Sequence, residues 1–305
     1  MRALAALLPW VVAAASVLVS SCRPDLGADD ALVTAARVLA VRAEPAEAKP
    51  GMQATYTAFV AAPEDANSGG VPLWRWCAAP KPLAENDVVS AACLSPASLV
   101  AAGSGEVIRS ATPTDACALF GPDPPPGGFR PRDPDGTGGY YQPLRVDLLG
   151  ASPVFALVRV TCHLAGAPAD VATAFDSAYV PNTNPHLLPL TATAGGATVD
   201  FGAIQVGAHV RLEASWPPAD AESYVDFDSA SQAITARRES MRVAWHVSAG
   251  ALDAEATGRD EDDPATSTDV TWTAPVAAAV VHLWVVLRDS RGGVDFLEQD
   301  LRVTP

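Results

Sequence analysis

The groups in this 305-residue chain that could do chemistry are few, and their spacing narrows what that chemistry is. Five cysteines stand at positions 22, 77, 93, 117 and 162. Cys22 ends an apolar run, which leaves an even set of four. No Cys-x-x-Cys pair and no histidine at ligand spacing accompanies Cys77, Cys93, Cys117 and Cys162, so a metal site is a weak reading and disulfides are the natural one. Four cysteines permit three pairings. Cys77–Cys93 and Cys117–Cys162 are favoured, because the first closes a short excursion after a strand and the second pins a Pro/Gly-rich loop. The five histidines (His163, His186, His209, His246 and His282) are scattered, none of them in a His-Glu-x-x-His pattern. No Gly-x-Ser-x-Gly elbow occurs, since Gly103-Ser104-Gly105 lacks its flanking residues, and no phosphate-cradling glycine loop follows a strand. Catalytic residues are therefore expected to be absent, although a triad can assemble from distant positions.

Two acidic stretches remain. Asp133-Pro134-Asp135-Gly136 precedes Tyr140 and Tyr141, inside a segment (111–140) that holds 13 Gly or Pro. Alternating carboxylates before a glycine could offer oxygens to a hard cation such as calcium. Pro134 and the missing closing Glu leave too few ligands, and a surface turn is the plainer reading. Tyr140 and Tyr141 could stack on a sugar or fold back onto the body of the protein. Asp260-Glu261-Asp262-Asp263 and the set Asp220, Glu222, Asp226 and Asp228 read as solvated acidic faces. No cofactor is expected, with calcium as a weak exception.

Composition sets the frame for these residues. Twenty Lys+Arg against 35 Asp+Glu give a net charge of −15, with 49% apolar and 18% charged residues. That is too apolar for a disordered chain, and too acidic for a surface that binds nucleic acid. Only Lys49 and Lys81 are lysine, which with the abundant alanine points to a high-GC coding sequence.

Met1-Arg2 followed by the apolar run Ala3 to Val19 and small residues is the pattern of a secretory signal peptide, interrupted by Pro9 and slightly short for a membrane span. Val19-Ser20-Ser21-Cys22 resembles the lipobox of bacterial lipoproteins, with Val and Ser where Leu and Gly/Ala are commonest. The resemblance implies cleavage before Cys22 and acylation of that residue, enough for stable anchoring. Arg23 rather than Asp after the cysteine implies the outer membrane. The competing reading is an ordinary signal peptide cut near Ser21.

Beyond the leader, period-two alternation dominates. Met52, Ala54, Tyr56, Ala58 and Val60 share one face, and so do Val154, Ala156, Val158 and Val160. Val210, Leu212, Ala214 and Trp216 repeat the pattern, as do Met241, Val243, Trp245 and Val247. Val280 to Leu287 is apolar on both faces and suits a central strand. A rough duplication is visible: an alternating strand, a polar loop, then a Trp-bearing strand, at Trp74-Arg75-Trp76-Cys77 and again at Val243-Ala244-Trp245-His246. The order resembles immunoglobulin-type sandwiches. Trp245 to Gly250, Thr271-Trp272-Thr273-Ala274-Pro275 and Val281 to Asp289 with Arg291-Gly292-Gly293 look like bacterial Ig-like and PKD-like domains. The chain as a whole is similar to Ig-like lipoproteins of high-GC Gram-negative bacteria.

The expected architecture is all-β: signal peptide 1–21, tether 22–34, an N-terminal Ig-like β-sandwich 35–185 with a long insert at about 103–145, and a C-terminal Ig-like/PKD-like sandwich 186–305. The resemblance implies a non-enzymatic envelope lipoprotein for binding, adhesion or scaffolding. It would be held to the membrane by its lipid, with an envelope protein or glycan as partner. The alternative is a carbohydrate-binding or carbohydrate-processing protein using the 111–142 insert, through Asp133, Asp135, Tyr140 and Tyr141.

Overall fold

Where apolar and polar residues alternate, the backbone lies in strands whose apolar side is buried. The computed structural model describes residues 30–63, 70–82, 85, 87–122 and 136–305. The expected signal peptide, Cys22, Asp133 and Asp135 lie outside them.

The first sandwich contains β1 (Arg37–Glu44), β2 (Glu47–Ala48), β3 (Gln53–Ala61) and β4 (Leu73–Cys77). It continues with β5 (Leu99–Ser104), β6 (Val107–Ala111), β7 (Gly139–Asp147) and β8 (Val154–Thr161). One sheet runs β1-β3-β6 and the other β2-β8-β7-β4-β5. Tyr56, Trp74, Trp76, Ile108, Leu144 and Val158 fill the space between them. Two short helices, α1 (Ala116–Phe120) and α2 (Ala169–Ala178), interrupt the strands. The disulfides are Cys77–Cys93 and Cys117–Cys162, with Cα atoms 5.4 and 5.8 Å apart.

The second sandwich starts with β9 (Thr191–Ala194), β10 (Ala197–Thr198), β11 (Ile204–Gln205) and β12 (His209–Ser215). A two-stranded ribbon, β13 (Ser223–Asp228) and β14 (Ala233–Arg238), projects from it. Then come β15 (Met241–Val247), β16 (Ala251–Leu252), β17 (Ala256–Arg259), β18 (Ser267–Thr273), β19 (Ala279–Asp289) and β20 (Val294–Thr304). The sheets run β10-β9-β12-β18-β16 and β11-β20-β19-β15-β17 around Leu212, Trp216, Trp245, Trp272 and Leu283.

The duplication legible in the sequence holds strand by strand. In each half a short strand pairs in parallel with the last one (β2 with β8, β11 with β20), while the remaining ladders are antiparallel. The two sheets that hold these parallel pairs then continue in the same spatial order to the Trp-bearing strand. The fold is all-β, with two Ig-like sandwiches.

Two expectations need correction. The 22–34 tether does not extend to residue 34: Val33 N–H donates to the Val247 carbonyl and Val247 N–H to that of Ala31, both at 2.8 Å. Val33 is fully buried, so these residues add an edge to the second sandwich. The 103–145 stretch is not a single inserted loop, because it contributes β6 and most of β7, which lies centrally between β8 and β4. Pro143, unable to donate a ladder hydrogen bond, sits within that strand and hid it. The two sandwiches also pack directly against each other. Val33, Ala40, Phe59, Ala61, Trp284, Val286 and Val294 form one buried cluster across them, with Phe59 stacked on Phe296 at 4.3 Å. That is why Val280 to Leu287 is apolar on both sides: one faces its own core, the other the neighbouring sandwich.

Candidate functional site

The polar groups with the most perturbed surroundings lie beside that apolar seam. β8 carries Arg159 on the face opposite its core residues, where the alternation would place an exposed side chain, yet it is fully buried. Its Nε donates to Glu47 Oε2 at 3.0 Å, Nη1 to the Tyr141 hydroxyl at 3.1 Å and Nη2 to Thr137 Oγ1 at 2.6 Å. A Cβ on Gly139 would come within 2.1 Å of the guanidinium carbon, so only glycine leaves room for this arginine. Glu47 also accepts from Thr161 Oγ1, from the Tyr179 hydroxyl and from Asn182 N–H. Burial alone would raise the Glu47 carboxyl; Arg159 and these donors outweigh it and hold it below its ordinary value. Burial, then the Glu47 charge, pushes the Tyr179 phenol upward.

A second arginine closes the network from the other sandwich. Arg291, in the β19–β20 turn, donates from Nε to Glu239 Oε1, from Nη2 to Glu222 Oε2 and from Nη1 to the Val180 carbonyl, each at 2.7 Å. Its guanidinium lies 4.7 Å from the centre of the Tyr224 ring. Asp289 accepts from the N–H groups of Arg291 and Gly293 and from Asn182 Nδ2. The Asp-x-x-Gly-Gly ending in the sequence is therefore a self-capped turn, with Gly293 packed so closely that a Cβ would meet Asp289 at 2.0 Å. Three carboxylates around one guanidinium leave an excess of negative charge away from water. Burial, followed by the Asp289 charge, raises Glu239 to about 8, and burial raises Asp289 as well.

Asn182 and Tyr141 tie the two halves together, since Asn182 bonds both Glu47 and Asp289, and the Tyr141 hydroxyl bonds both Arg159 and the Arg291 carbonyl. Asn184 adds a third link, donating to the Ala43 carbonyl at 2.7 Å and accepting from Val294 N–H at 2.9 Å. Beside the network a cleft of about 380 Å³ opens between β1, β8 and the β19–β20 turn. Leu39, Phe155, Leu157 and Tyr141 contribute to its walls, together with Arg288. Burial and then Arg242 push the Arg288 guanidinium below its ordinary value; its Nη2 donates to the Leu39 carbonyl.

The sequence-derived candidates fare differently. Tyr140 is 1% exposed and donates to the His163 carbonyl, and Tyr141 is taken up by the network, so neither forms an outward stacking platform. The burial of Tyr140 follows from β7 being a central strand rather than a loop, whereas Tyr141, on the opposite face, is half-buried and lines the cleft. The acidic faces are partly paired: Glu261 and Asp226 with Arg237, Asp263 with Arg259, and Glu222 with Arg291. Sequence reasoning missed one constellation. His282, Glu298 and Asp300 bring potential ligand atoms within 4.8 Å of one another. Counting back along both strands from the Gly292-Gly293 turn would have found it. Among the described residues no helix is long and apolar enough to cross a membrane.

No protein-family model matches the chain, and no curated protein is similar to it. Among solved structures it is similar to the D00-D0 domain of intimin, at 9% identity over 89% of this chain and 99% of that one, with a TM-score of 0.25. The adhesin InvE of Yersinia pseudotuberculosis shares 10% identity over 87% of this chain and 58% of its own, with a TM-score of 0.24. The C-terminal domain of the Streptococcus agalactiae AgI/II polypeptide BspA gives 10%, 89% and 99%, with a TM-score of 0.22.

Proposed function

We propose that the chain is a non-enzymatic lipoprotein of the cell envelope, anchored through Cys22 in the outer membrane, whose two sandwiches act as one rigid binding, adhesion or scaffolding body. The observation that carries this reading is the seam. Sandwiches joined only by a linker move relative to each other, whereas a large apolar interface with a buried polar network holds one geometry. Its arginines and carboxylates bond one another, so they serve that rigidity. The docking of Ala31–Val33 shortens the leash: the eight residue-to-residue steps from Cys22 to Asp30 span at most about 29 Å. The carbohydrate alternative loses Tyr140 to the core, and the Tyr141 hydroxyl is already engaged by Arg159 and the Arg291 carbonyl.

Intact-mass spectrometry of membrane-extracted protein tests the anchor. Cleavage before Cys22 with added acyl chains, and loss of both acylation and membrane partition in Cys22→Ser, is the expected result. A full-length mass, or a Cys22→Ser variant that partitions unchanged, overturns it. Incubation with labelled envelope polysaccharide and envelope protein tests the rest. Either ligand is retained unaltered, whereas new reducing ends or cleaved peptide would show an enzyme.

A further inference from the structure

We infer that His282, Glu298 and Asp300 form a binding site for a divalent transition metal of the zinc class, on the face of the β19–β20 hairpin turned away from the second sandwich core. The two strands place His282 opposite Asp300 and Trp284 opposite Glu298, so all three side chains emerge on one face. Directly opposed and diagonal neighbours on such a face lie within mutual reach. His282 Nδ1 is 2.8 Å from Asp300 Oδ1 and 3.6 Å from Glu298 Oε1. Ligands bound at 2.0–2.1 Å to a tetrahedral zinc ion sit about 3.3 Å apart, between these two distances. The site therefore closes around an ion through small movements of the carboxylates.

The parts also differ in the way a site needs. The His282 side chain is only 13% exposed; its backbone N–H is held by Ser248 Oγ at 2.9 Å, and its ring packs against Trp284. The carboxylates are 48% and 65% exposed, which leaves an entry path. Among the described residues no lysine or arginine lies within ion-pair distance of Glu298 or Asp300, whereas Asp226, Glu261, Asp263 and Asp269 each have an arginine. Two carboxylates thus converge with an imidazole alone between them. The ring's Nε2 is buried without a partner, so the ring proton belongs on Nδ1, between the carboxylates. A metal takes that proton's place: Nδ1 gives it up and becomes a ligand, and Nε2 becomes the protonated nitrogen. The lack of an acceptor for Nε2–H keeps the affinity below that of a closed four-ligand site. An imidazole with two carboxylates suits zinc better than calcium or magnesium, which prefer all-oxygen shells. The fourth position stays open to water or to a donor from a partner molecule.

Calorimetric titration of zinc chloride into the purified, chelator-treated full chain tests the site. One saturable equivalent is expected, with affinity falling as the pH drops because protons compete with the metal for the imidazole and the carboxylates. His282→Gln and Asp300→Asn are each expected to weaken it at least about tenfold, as loss of a metal ligand should, with unchanged urea midpoints in chelator. Asp300 is exposed, so its variant carries the test if His282→Gln fails to fold. Absence of saturable binding, equal binding by wild type and variants, or equal affinity for calcium and zinc overturns the assignment.

Discussion

Replacing Glu239 by glutamine tests the account of the seam. The Glu239 side chain is fully buried, and its carboxyl rises from an ordinary 4.5 to about 8. A raised carboxyl keeps its proton in the folded state while the unfolded chain releases it. Stability is therefore fully present below about pH 4.5, falls as pH rises, and levels off above about pH 8. At about 1.4 kcal/mol per pH unit, the whole span is worth about 5 kcal/mol. Glutamine cannot ionise, so the variant lacks this slope. It bears a constant penalty instead, because its amide NH₂ replaces the oxygen that accepts from Glu222 N–H, a loss of about 1–3 kcal/mol. Urea midpoints measured from about pH 5 to about pH 8 separate the two effects. The wild type should be the more stable protein at the acidic end and the less stable one at the alkaline end. A difference between the two proteins that does not change with pH refutes the reasoning.

Two further outcomes follow from the same chemistry. Arg159→Ala strands the buried Glu47 carboxylate and should cost about 3–5 kcal/mol by urea denaturation; a loss below about 1 kcal/mol would mean that water reaches Glu47. The Cys117–Cys162 bridge spans 45 residues and Cys77–Cys93 spans 16, so removing them as serine pairs should cost about 4 and about 3 kcal/mol respectively. A reversed order would show that loop entropy does not set their worth.

Strands with one wet face were readable because their periodicity is a direct record of burial: Val210, Leu212 and Ala214, or Met241, Val243 and Trp245, are core residues where the alternation puts them. The seam was not readable as such. Arg159 alternates with Val158 and Val160 as a solvent-facing residue would, and only the second sandwich, with its linker asparagines, turns that position into an interior. The two-sided apolar run of β19 signalled a covered outer face without saying what covers it. β7 was hidden because Pro143 and the preceding glycines carry loop chemistry. Gly139 is nevertheless there for a packing reason, the close approach of Arg159. The His282 cluster needed the hairpin register counted from the Gly292-Gly293 turn, which composition and ligand-motif spacing alone do not supply.

The order of synthesis gives the seam one more meaning. β20 follows the other described strands in the chain, and it serves two places at once: Leu301 and Val303 complete the second core, while Val294 and Phe296 cover Phe59 and its neighbours on the first sandwich. Until β20 arrives, the chain displays an apolar flank on the first sandwich and an unfinished second one, a state open to aggregation and proteolysis. A chain cut short before Val294 therefore lacks part of both bodies. Arrival of β20 becomes the point at which both sandwiches turn protease-resistant together.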